Sequence, residues 1–401
     1  MSPKRLALLL ILALLVGCLS CGCWNRREPE LLGVVLAVGF DYNPESDLYT
    51  AIAQLANPIA MGEGSGESGG GGSNKTSFWT TAAEGHTPFE AIRNLVETSS
   101  RELLWSHCRV LLFSEKLARR GIGDVLDLFE RGRQFRLIIK PAVVKGALRD
   151  IMEADFPLEE TGALGLDRMV MTIQFEKAIF PEKNLSEPIS TLSQTGKEMI
   201  IGRVEVLGGG KVEEEPGGAD SGSPVRIGGS AVFRGDRMVG WADNKQTQGW
   251  AYATGRAARS YFVVKSPVKE DSYVSIGVFG HRARMSLHGN AKDWRIELRV
   301  KMHGRIQEFD GPGNLDDNTA LLHSLERRAA ATARNRIEAA LSRAQELKSD
   351  IFGFGNLIYR KNPELWEKIA PRWDDEIFPQ LKIDLSVEFR ILRSGLIVDP
   401  L

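Results

Sequence analysis

Between residues 319 and 348 small and aliphatic side chains recur every three or four positions: Leu322, Leu325, Ala329, Ala333, Ile337, Leu341 and Ala344. That spacing gathers them into one stripe along a helix, with Arg and Glu on the opposite face. Asp316-Asp317-Asn318-Thr319 offers side-chain oxygens to cap the first turn. Such a helix must lay its stripe on a sheet or on another helix. The flanking sequence supplies a sheet. Alternating runs near 273–279, 283–288, 294–304 and 306–309 predict a meander of antiparallel strands, and LKIDLSVEFRILRSG (381–395) predicts a closing strand. The expectation is a C-terminal α+β domain over 271–401, with an antiparallel sheet and the long helix 319–348.

Upstream, strands and helices alternate. LLGVVLAVGFDY (31–42) and LYTAIAQLA (49–57) read as a strand pair around a turn at Asn43-Pro44. GEGSGESGGGGSNKTS (62–77) has the composition of a flexible linker. Its literal G-x-G-x-x-G (Gly64, Gly66, Gly69) and G-x-S-x-G (around Ser68) lack the strand and helix that either motif requires. Ordered structure is expected to resume at Thr87, where Thr87-Pro88 and Glu90 fit a capped helix start. A strand at 108–113 and a helix pair over 115–131, broken near Gly121-Ile122-Gly123, follow. Next comes a strand at 136–144, whose Pro141 suggests a bulge or an edge. Helices near 147–154 and 163–178 and a strand at 198–207 complete this part.

Residues 208–224 are rich in Gly and acids and read as a loop, and Gly210-Lys211 lacks the rest of a P-loop. A hairpin is expected over 228–242, its turn being Arg234-Gly235-Asp236-Arg237. A short helix near 244–252 and a strand at 260–265 follow it. The fold class is therefore α+β with a mixed sheet, behind a signal segment (1–17). The divisions are an N-terminal region over 24–205 (with the insertion 62–77), a linker over 206–224, a small middle subdomain over 225–270, and the domain 271–401. At 401 residues, 43% hydrophobic, the chain is large enough for two or three cores.

The first residues, MSPKRLALLLILALLVG, pair Lys4 and Arg5 with an apolar run from Leu6 to Val16. The run is short for a membrane span and suits a signal-peptide core. Leu15-Val16-Gly17-Cys18 resembles the bacterial lipobox, in which the cysteine sulfur takes diacylglycerol and becomes the first mature residue. Lipidation is thus expected at Cys18, with Cys23 as the alternative. Acyl chains anchor a domain at about 0.8 kcal/mol per buried methylene, and stable anchoring takes more than one chain. A zinc site would need a second ligand pair that Cys21 and Cys23 do not have, and Cys108, within CRVLLF, reads as a buried thiol.

Little else points to chemistry. The net charge is −1, so no basic field invites nucleic acid. His86, His107, His281, His288, His303 and His323 form no H-x-x-x-H pair, and His281 and His288 have no acidic or thiol partner close in sequence. Glu159-Glu160, Asp316-Asp317 and Asp374-Asp375 fall in loops or at helix starts, where acids favour solvent or the dipole. Trp366 and Trp373 are expected to fill a core. No catalytic residue, metal or cofactor site is assigned.

Taken in order, several stretches resemble one family, the C subunits of nutrient germinant receptors of bacterial endospores (Ger(x)C-type lipoproteins). Cys23-Trp24-Asn25-Arg26-Arg27-Glu28 stands where that family has Cys-Trp-Asp-x-Arg-Glu. Gly39-Phe40-Asp41, Leu55-Ala56-Asn57-Pro58, and Ser99 to Glu102 followed by Cys108 to Ser114 are similar to its next segments. So are Gly229 to Trp241, Asp350-Ile351-Phe352-Gly353-Phe354-Gly355, and Pro363, Trp366 and Trp373 with Ile377-Phe378-Pro379. The resemblance implies an α+β fold of three mixed-sheet α/β-type domains in tandem, and a non-enzymatic lipoprotein on the outer face of the inner spore membrane. It would assemble there with two integral membrane subunits in a nutrient-sensing complex that triggers germination. An extracytoplasmic lipoprotein that itself binds a small molecule is the alternative, and a cell-wall hydrolase a third reading.

Overall fold

A computed structural model describes residues 3–5, 31–57, 77–154, 156, 158–181, 184–207, 225–289, 293–310 and 318–393. All of the expected signal segment except residues 3–5, both candidate lipidation sites, nearly all of 62–77 and the tract 208–224 lie outside these residues.

Two sheets organise the molecule. The first has nine strands: β1 (Leu32–Asn43), β2 (Leu48–Ala56), β3 (Phe78–Gly85), β4 (Glu102–Leu104), β5 (Val110–Ser114), β6 (Lys140–Lys145), β7 (Ile200–Val206), β8 (Val225–Arg234) and β9 (Arg237–Ala242). Their spatial order is β3-β2-β1-β5-β6-β7-β8-β9, and β4 pairs with β1. β1, β5, β6 and β7 run parallel, joined through helices, while hairpins add antiparallel strands at both ends. Helices cover both faces of the parallel centre, so its strands read as unbroken apolar runs; all five residues of β5 are buried.

On one face α1 (Pro88–Asn94), α2 (Glu115–Arg120), α3 (Gly123–Arg131) and α6 (Ser186–Leu192) close a core around Phe40, Phe113 and Phe129. On the other, α4 (Leu148–Met152) and α5 (Gly162–Lys177) close a second core around Leu112, Val144 and Phe180.

The second sheet has the order β10 (Ser260–Lys265), β11 (Tyr273–Gly289), β12 (Trp294–Phe309), β13 (Ile383–Arg393). Its inner face packs on α7 (Asn244–Ala253) and on the long helix α8 (Thr319–Glu346), which spans about 42 Å at 1.5 Å per residue. The stripe is buried as expected but starts at Leu321, capped by Asn318 through Leu321 N at 3.0 Å. Where α7 crosses α8, Gly249 lies against the backbone of Arg336 with no room for a Cβ. The outer face carries charge, with pairs such as Lys301–Glu388 at 3.2 Å and Arg295–Asp384 at 3.5 Å.

Several expectations need correction. The four runs of the meander are two long strands, whose register shifts at Ser275/Ile276 and Val278/Gly280 break the alternation. The sheet is mixed rather than antiparallel, because the long connection through α8 returns β13 parallel to β12. The middle subdomain over 225–270 is divided. β8 and β9 end the first sheet, since Ile200 to Val206 gives β8 a partner, while α7 and β10 join the second. Order resumes before Thr87, in β3, an Ala- and Thr-rich strand that takes its register from β2. Pro141 sits in an interior strand. Lys140 N donates to Arg109 O on the β5 side at 2.8 Å, and pairing with β7 starts only at Ala142, so the imide nitrogen faces no ladder partner.

Candidate functional site at the junction of the sheets

The two sheets meet where four segments converge: 195–199 leading into β7, the β8–β9 turn, 349–355 after α8, and the turn Trp373–Ile377. Asp350 is the centre. Its side chain is 1% exposed and accepts hydrogen bonds from Gly353 N at 2.8 Å and Gly355 N at 2.7 Å, at the start of α9 (Phe354–Lys361). Burial pushes its carboxyl up to about 6, and the backbone donors of 353–355 and the nearby Trp373 indole restrain the rise.

The same turn is stitched to the first sheet. Glu198 N donates to Asp350 O at 2.9 Å and Asn356 N to Gly196 O at 2.7 Å, and Ser349 Oγ donates to Phe233 O at 2.5 Å. Gly196 and Gly355 lie back to back; Gly196 has φ +68°, and a Cβ on it would sit 2.6 Å from the Gly355 carbonyl carbon. Trp373 fills the space beside them, ringed by Trp366 at 5.5 Å, Phe378 at 6.1 Å and Trp294 at 6.4 Å. The expectation that Trp366 and Trp373 fill a core is met.

The Arg234-Gly235-Asp236-Arg237 stretch is a hairpin turn, with Gly235 at φ +60°. It also bridges three elements. Arg234 clasps both oxygens of Asp375 at 3.1 and 2.8 Å, while Lys348 reaches Asp375 at 3.3 Å. Gly235 N donates to Glu198 at 2.6 Å, and Asp236 takes Ile122 N and Gly123 N at the break between α2 and α3. Its two cations hold the Asp375 carboxyl down at about 2. Glu198 moves the other way, up to about 7, chiefly through desolvation and then through the charges of Asp374 and Asp350. Sequence reading missed Glu198, whose only signal is an acid placed directly before the apolar run of β7.

Elsewhere, a cleft of about 720 Å³ between the units is edged by Ile138, Met171, Glu187 and Arg256, the last two paired at 2.6 Å. Another, of about 590 Å³, lies beside Arg120, which stacks over the rings of Tyr42 (4.1 Å) and Tyr49 (4.9 Å). Tyr49 donates its hydroxyl to Asp124 at 2.5 Å.

Cys108 is a buried free thiol pushed up to about 12 by desolvation. His288 does have an acidic partner, Glu297 at 3.0 Å across the β11–β12 hairpin, and His281 accepts from Ala257 N at 3.3 Å. Among the described residues no group of three His, Cys, Asp or Glu could hold a metal, and no helix is long and apolar enough to cross a membrane. The geometry builds a joint in which backbone hydrogen bonds and buried side chains tie the two sheets together.

Residues 25–206 match the family model described as spore germination protein N-terminal domain, and 228–395 the one described as spore germination B3/GerAC like, C-terminal. Spore germination protein KC of Bacillus subtilis (strain 168) is 26% identical over 99% of this chain and 98% of its own. Spore germination protein B3 of the same organism is 22% identical over 94% of each. The crystal structure of the GerBC protein superposes with a TM-score of 0.56 at 16% identity, covering 89% of this chain and 97% of that one, which shows a shared mixed α/β fold.

Proposed function

This chain belongs to the GerAC-like family of spore germination proteins, and from that premise we propose that it is the lipid-anchored subunit of a germinant receptor, working through contacts and not catalysis. A role in spore germination follows from the family itself. The finer reading places the mature protein on the outer face of the inner spore membrane, held by a lipid on Cys18, or on Cys23, and assembled with two integral membrane subunits.

The observation that carries it is the order of the two family models, which together run along nearly the whole chain, with full-length relatives that are themselves spore germination proteins. The locked junction supports it. A subunit whose task is to hold others in place gains from two units fixed by backbone hydrogen bonds and a buried carboxylate. Tandem domains remain part of this proposal, with the division placed after β9 and not at 206–224, so that β8 and β9 belong to the first unit.

The test is co-expression with the two integral membrane subunits of a germinant receptor from the same genome, followed by purification through one of them. Recovery of all three, with a diacylated peptide starting at Cys18, is the expected result. Purification of the membrane pair without this chain would overturn the assembly, and a diacylated peptide starting at Cys23 would move the anchor.

A further inference from the structure

The parallel strands β1, β5 and β6 all start at one end of the first sheet, and that end is apolar and basic at once. Ile138, just before β6, is 66% exposed. Met171 on α5 is 56% exposed, and Phe175, one turn further along the same helix, is 48% exposed. Ile138 and Met171 edge the same cleft of about 720 Å³. The guanidinium of Arg259 lies over the Phe175 ring at 4.6 Å. Exposed apolar side chains scattered singly are ordinary, but a run of three large ones along one surface marks a contact.

The charge around this run says with what. From Arg131 to Lys140 the chain carries four cations and no acid. The acids nearest the run are already paired: Asp167 with Arg109 and Lys140, Glu187 with Arg256, and Glu159 with Arg168. Glu176 is offset by Lys177 beside it. Arg133, Arg136 and Arg259 are exposed and have no ion pair among the described residues. Bare apolar side chains beside unmatched arginines fit an anionic phospholipid bilayer. Its phosphates meet the cations, and the boundary below them takes the apolar groups.

The chain enters the fold from the same end. Leu31, directly before β1, is 63% exposed. From Leu31 the extended chain reaches at most about 45 Å back to Cys18, or about 28 Å to Cys23. A lipid on either cysteine therefore holds this end closer to the bilayer than the far end of β1, about 40 Å away at 3.3 Å per residue.

We propose that this end of the first sheet lies on the bilayer, with Ile138, Met171 and Phe175 in the headgroup region and Arg133, Arg136 and Arg259 on anionic phosphates. The proposal rests on the lipid-anchored reading and adds which face of the molecule the anchor brings down.

The test uses the full lipidated chain in vesicles of phosphatidylglycerol and phosphatidylcholine, with a photoreactive side chain at one of two exposed positions. Phe175→p-benzoylphenylalanine probes the proposed face. Glu45→p-benzoylphenylalanine probes the β1–β2 turn at the opposite end of β1. After illumination the adducts are identified by mass. Phospholipid adducts are expected at Phe175, about fivefold or more above Glu45. Each cation near an anionic surface counts for roughly a factor of five. Combining Arg133→Gln, Arg136→Gln and Arg259→Gln should therefore cut the Phe175 adduct about fivefold or more, while the chain still floats with the vesicles. Vesicles of phosphatidylcholine alone should do the same. All the altered side chains are exposed, so the core is untouched. A chain that floats but labels lipid equally at both positions, or keeps its full adduct in the triple variant, would overturn the face and leave the anchor standing. So would label that passes from lipid to protein when the two integral membrane subunits share the vesicle. A chain that does not float would overturn the anchor and this proposal together.

Discussion

The two sheets solve burial differently. In the first, helices cover both faces, so neighbouring residues of β5 enter different cores: Leu112 one, Phe113 the other. In the second, one face packs on α7 and α8 while the other meets water, so Val300 is buried and Lys301 beside it is exposed. The central strand β5 of the first unit therefore has no tolerant position, and a strand such as β12 in the second has one at every other residue. The difference also locates the joint, where the ends of a two-faced sheet meet the covered face of a one-sided one.

The sharpest way to break this comparison is by paired truncation. Leu112→Ala and Phe113→Ala should each cost about 3–5 kcal/mol in urea denaturation, although they are adjacent. A mild effect at either position would mean that one face of β5 is not core. Gly249→Ala should come next, at about 1–3 kcal/mol, because a methyl group there meets the Arg336 backbone; an unchanged unfolding midpoint would show that α7 and α8 are not locked together.

Acidity probes the joint itself. The Glu198 carboxyl stands at about 7 in the folded protein, against about 4.3 in an unfolded chain. The folded form thus retains a proton that the unfolded form releases. This contribution is fully present at low pH, lost as pH rises from about 4.3 to about 7, and constant above. Asp350, at about 6, acts with the same sign. Melting temperatures at pH 5 and pH 7.5 should differ less in Glu198→Gln than in the unaltered protein, and an equal drop in both would remove Glu198 from the account. The smallest effect is expected at Lys301→Ala, within about 0.5 kcal/mol, since its pair with Glu388 is exposed. A larger loss would mean that something covers the outer face of the second sheet.

How much of this was legible in the sequence follows from the same contrast. The stripe of α8 and the alternation of β12 announce a single buried face, and the continuous runs around β5 announce two. β3 was missed because Ala and Thr give little periodic signal at an edge strand held only by β2. The hairpin β8–β9 was visible, but nothing in its residues says which sheet it joins, because that depends on an edge offered by β7. Nor does a strand pattern carry a direction, so the parallel sense of β13 stayed hidden. At the joint, the segment Asp350 to Gly355 stood out as a motif, and Trp373 as core. The clasp between Arg234 and Asp375 links positions far apart in the chain, and the raised pKa of Glu198 comes from neighbours that only folding assembles.

The placement of β13 bears on biosynthesis. β12 leaves the ribosome long before β13, with all of α8 to α10 (Pro363–Ile369) translated between them. Throughout that interval one edge of β12 offers unpaired backbone groups in the nascent chain, a template for association with other chains. Glu297, Arg299 and Lys301 set charged side chains along that strand before Glu388 of β13 is there to pair with Lys301. They work as gatekeepers while the edge waits for its partner.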